Sequence, residues 1–237
     1  MQLASLLDEN AAHASGAKAL MDQFHPSLFA ALDEAALLYL LTSNAFVHAQ
    51  DRPTQIRTVV YLLLWRHFRW AATDICRFRI TAALGYQRQQ AEAIGLFWLF
   101  DENPQLGEQW LSIRSDKDGR EFHRTTQHRL LDIMRQHELV DAYEKGSATS
   151  LHVRFAGAVA GLRLIPGGVP TLVDTELDPD HLSPYFASVA GFLITQQRVF
   201  RALDAANLER DFDLARHARD AFDQHLRAVR EQLGSTS

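Results

Sequence analysis

"TQIRTVVYLLLWRHFRWAATDICRFRITAA", residues 54–83, decides the fold. It carries the longest helical pattern in the chain, and its apolar residues recur at helical rather than alternating spacing. Gly85 interrupts the pattern, and 86–100 continue it as a second helix. Its apolar run, "TVVYLLLW", stops at Arg66. A bilayer span needs roughly 18 uninterrupted apolar residues, so no membrane segment is expected.

The same period extends in both directions. Residues 2–22 read as a short amphipathic helix, broken at Pro26, after which Ser27 caps a helix over 28–48. "DENP" (101–104) is a stop, and "DKDG" (116–119) reads as a polar turn before a helix over 120–137. Two apolar runs flank "PGGVP" in "LRLIPGGVPTLVDTEL", which predicts a small β-hairpin insertion near 162–175. Helices over 184–205 and 208–233 close the chain. The expected fold is an all-α helical bundle, with residues 1–50 as a helical extension packed on a core of 51–237.

Composition bounds the chemistry. With 237 residues, 47% of them hydrophobic, the chain can bury one large core. Its net charge of −5 gives no overall bias toward nucleic acid. The single cysteine, Cys76, can form no internal disulfide. "MQLASLLDENAAH" lacks the basic and apolar regions of a signal peptide, so a cytoplasmic protein is expected.

Eleven histidines raise the question of metal. No pair of Glu-x-x-His motifs stands on helices. His123 and His128 lie about 140° apart around a helix. No metal and no cofactor are expected, and "PGGVP" lacks the Lys-Ser/Thr and the helix of a phosphate loop. Arg66, Arg69 and Arg77 form a stripe on the long helix, with Trp65, Phe68 and Trp70 interleaved. The stripe is either a solvated face or a strip for RNA or DNA phosphate. Arg88 and Glu92 stand one turn apart beside the apolar "AIGLFWLF", as a surface pair or a half-buried one.

"AYEKGSATSLHVRFAG" (142–157) crowds hydrogen-bonding groups at a helix entrance. Here a family pattern emerges. "RQQAEAIGLFWLFDENPQLGEQW" (88–110), followed by "YEKGSATSLH" (143–152), resembles HEPN-like domains of unknown function, over roughly residues 54–230. The shared order is Arg, Glu, an apolar run, an Asp-Pro-type stop, then Tyr, Ser and His. The resemblance implies one polar pocket holding Arg88, Glu92, Tyr143, either Ser147 or Ser150, and His152, with His152 as a further catalytic candidate. "RDAFDQH" further resembles the Arg-to-His motif of HEPN ribonucleases, with Arg219 holding a phosphate and His225 as general acid and base. The implied protein is a metal-independent ribonuclease of the conflict or defence type, acting on RNA as a homodimer. The alternative is a non-catalytic helical module that senses a partner or ligand.

Overall fold

A computed structural model describes residues 26–43, 46, 51–76, 80–146, 162–164, 170–172, 179–206 and 212–234. The described residues are overwhelmingly helical: α1 (Pro26–Ser43), α2 (Arg52–Ile75), α3 (Ile80–Glu102), α4 (Pro104–Ser112), α5 (Asp116–Gln136), α6 (Val140–Gly146), α7 (Pro179–Ala205) and α8 (Phe212–Gly234). Two three-residue strands, β1 (Leu162–Leu164) and β2 (Pro170–Leu172), pair antiparallel with Leu162 opposite Leu172. The residues linking them lie outside the described set, as do residues 1–25.

Local chemistry places the boundaries. Asp51 caps α2 by accepting from the Thr54 N–H at 2.8 Å, with Pro53 in the first turn, where a missing donor costs nothing. The break in the long helical pattern falls after Ile75 and not at Gly85, which is buried within α3. A helix-interior glycine costs about 1 kcal/mol, an amount that packing of the surrounding face can offset. "DENP" does end α3, but Asn103 then caps α4 and Pro104 opens it. "DKDG" is the first turn of α5 and not a loop. Ser115 accepts from the Asp118 N–H at 3.2 Å, and Asp116 and Asp118 complement the positive end of the helix. The C-terminus of α5 closes as a Schellman turn, in which the Leu139 N–H reaches the Met134 carbonyl at 2.7 Å. Glu138 occupies the left-handed position with φ 58°, where glycine is usual, and its carbonyl accepts from Arg198 of α7 at 2.7 Å.

α2 and α3 form an antiparallel pair, α3 lies against α5, α6 and α7, and α8 packs along α1. α1 therefore contributes to the core. Its Leu28, Ala31 and Ala35 are fully buried. Gly107 sets the approach of α4, since a Cβ there would stand 2.7 Å from the Ile56 side chain. A polar network runs through the centre. Tyr39 donates to Gln196 Oε1 at 2.9 Å, Gln196 donates to Gln90 Oε1 at 2.9 Å, and Gln90 donates back to Gln196 Oε1 and to the Tyr39 hydroxyl at 3.2 Å each. All three residues are fully buried, and burial raises the Tyr39 hydroxyl well above its ordinary pKa.

Candidate functional site

The outer face of α2 is built by arithmetic. Ile56, Val60, Leu64, Phe68 and Ile75 turn inward, so Val59, Leu62, Arg66, Arg69, Trp70 and Thr73 turn out. Trp70 is 45% exposed. The Arg66 guanidinium lies 4.8 Å from the centre of the Trp70 ring, and that of Arg69 lies 5.9 Å from the centre of Trp65. Among the described residues neither arginine meets a carboxylate, whereas Arg52, Arg57, Arg124, Arg129 and Arg216 all do. Arg77 lies outside the described residues.

Behind Trp70, His67 and Tyr86 complete an aromatic cluster, with ring centres 5.8 Å and 5.5 Å from the Trp70 ring. Burial, and then the Arg66 charge, pushes the His67 pKa down to about 4, so the ring is neutral. Its Nδ1 is buried without a hydrogen-bond partner. On the other side of Arg69, α1 and α2 enclose a groove of about 400 Å³, lined by Phe29, Ala36, Trp65 and Phe68, with Asp33 and Thr73 at its rim. The groove went unread in the sequence, because it exists only once α1 and α2 are packed.

The structure brings Arg88, Glu92 and Tyr143 together. Arg88 donates to Glu92 at 3.2 Å and to the Tyr143 hydroxyl at 3.4 Å, and its guanidinium lies 4.7 Å from the centre of the Tyr143 ring. The pair is half-buried, with side chains 19% and 32% exposed. Ser147, Ser150 and His152 lie outside the described residues.

Arg219 and His225 flank the buried stripe of α8 on opposite edges, about 120° apart around the helix. Arg219 faces α7: it pairs with Asp223 at 3.4 Å, donates to the Gln197 carbonyl at 3.4 Å and lies 5.6 Å from the centre of the Phe200 ring. His225 is half-buried on the other edge. One helix thus does not aim both groups at one phosphate. Among the described residues no three His, Cys, Asp or Glu side chains converge as metal ligands, and no helix is long and apolar enough to cross a membrane. Comparison with known proteins returns no matching family model, no similar curated protein and no similar solved structure.

Proposed function

We propose that this chain is an RNA-directed helical module that holds single-stranded RNA on the outer face of α2. The observation that carries the reading is the pairing of two carboxylate-free arginines with tryptophan rings, one of them exposed. Guanidinium groups bind phosphate, and an exposed aromatic ring stacks a base whatever its identity. The net charge of −5 confines such binding to a local strip, so affinity is modest and sensitive to salt.

Fluorescence anisotropy with a labelled uridine decamer tests this. Binding is expected to weaken with salt at a logarithmic slope of about −1.4 for two phosphate contacts on a single strand. Replacing Arg66 and Arg69 together by Ala removes that slope, and Trp70→Ala weakens binding by roughly 1–3 kcal/mol. Absence of salt-sensitive binding to any single strand overturns the reading.

A second reading draws on a different observation. Leu37, Leu40, Val59 and Leu62 are all exposed large apolar side chains on α1 and α2, and exposed apolar surface of this kind serves protein docking where it is contiguous. A module of that kind binds no RNA and loses its protein partner when Leu62 becomes Glu.

A further inference from the structure

We propose that the groove between α1 and α2 is a base-binding subsite selective for guanine. The inference rests on the RNA reading and adds to it what that strand must contain. The groove opens beside Arg69, so a strand whose phosphates lie on Arg66 and Arg69 passes its mouth. Its volume of about 400 Å³ is large enough for a flat base, and the half-buried Phe29 and Trp65 supply aromatic lining over the buried Phe68.

Asp33 decides which base. It is an exposed lining residue of the groove and makes no hydrogen bond or ion pair among the described residues. An ionised carboxylate only accepts hydrogen bonds, through two oxygens side by side. Guanine is the one RNA base whose Watson–Crick edge offers two adjacent donors, the ring N1–H and the exocyclic amino group. Adenine and cytosine each place a ring acceptor beside their amino group, and uracil flanks its one donor with two carbonyls. Those acceptors face the Asp33 oxygens and are repelled. Single-stranded RNA leaves this edge free to be read.

The test uses the full chain and four uridine decamers whose central position is uridine, adenosine, inosine or guanosine. The guanosine oligomer is expected to bind about tenfold or more tightly than the adenosine one, the size of a good bidentate discrimination. Inosine, which keeps N1–H and lacks the amino group, falls between them. Asp33→Asn replaces one acceptor oxygen by a donor and removes the charge that repels the other bases, so the guanosine preference collapses while the uridine and adenosine strands bind as tightly as before or more tightly. Because Asp33 is exposed, the variant is expected to keep the wild-type melting temperature, which reports an intact fold. Equal binding of guanosine and adenosine strands, or a preference that survives Asp33→Asn, overturns the subsite and leaves the α2 strip standing. Failure of every strand to bind removes both.

Discussion

His67 shows how a single residue on the α2 face couples to the fold. It sits half-buried among Trp70 and Tyr86, with burial and Arg66 holding its pKa at about 4. In the unfolded chain a histidine titrates near 6.5. Between those values the unfolded state binds a proton that the folded state refuses, so acid favours unfolding. Stability contributed by the neutral ring is fully present above about pH 6.5 and is lost as pH falls toward 4. His137, half-buried against Trp98, is shifted in the same direction by burial alone, so among the described residues the wild type carries two such histidines. Urea midpoints measured from pH 7 to pH 4 are expected to fall less steeply in His67→Gln than in the wild type. Parallel curves for the two proteins would show that His67 is not the group responsible. The arginines beside it were legible in the sequence, since an offset of three residues already puts Arg66 and Arg69 on one stripe. Asp33 was not, because only the packing of α1 on α2 makes it part of a groove.

At the scale of elements, the tie between α1, α3 and α7 is polar. Tyr39, Gln90 and Gln196 close a ring of hydrogen bonds across chain separations of up to 157 residues. A second tie lies a turn earlier on α3, where Gln87 donates to Thr195 and to the Gly191 carbonyl. Removing one member strands the others in a water-free core, at about 1–3 kcal/mol for each unsatisfied group. Gln196→Leu is therefore expected to destabilise the fold by that order. Adding Gln90→Leu should cost less than the sum of the two single changes, because the second change removes the amide that the first left stranded. Additive losses in urea unfolding would mean that the two amides do not act as a pair. No period in the sequence signals this arrangement. The helices themselves were legible because a buried stripe repeats every three to four residues. A buried glutamine looks the same in sequence as a surface one, and its partner is fixed only by topology. The first turns of α4 and α5 escaped for a different reason. Asn103 and Ser115 cap them, so proline and acidic residues that read as breaks are in fact favourable helix starts.

For the whole molecule the open question is cleavage against binding, and α8 frames it. Phosphodiester cleavage needs a cation on the phosphate and a proton donor at the same bond. Arg219 is turned toward α7 and held by Asp223, Gln197 and Phe200, while His225 occupies the opposite edge of the helix. A catalytic pair would then have to take Arg219 from one copy and His225 from another across a two-fold axis. That requirement yields a test that does not depend on knowing the substrate. In a symmetric dimer, a chain carrying Arg219→Ala and a chain carrying His225→Ala complement each other, because the mixed dimer holds one composite site with both groups intact. Random assortment makes half of the dimers mixed, with one of their two sites competent, so about a quarter of wild-type cleavage returns on mixing. The RNA-holding module proposed above predicts a different result. The wild type binds single strands without cutting them, neither variant changes RNA affinity, and Arg219→Ala shows itself instead as a lowered melting temperature, since it removes a half-buried ion pair and the packing of the arginine on Phe200. Cleavage by the wild type that is lost in both variants and partly recovered on mixing would replace the binding module with a dimeric nuclease. Cleavage that survives in either variant would place the chemistry away from α8.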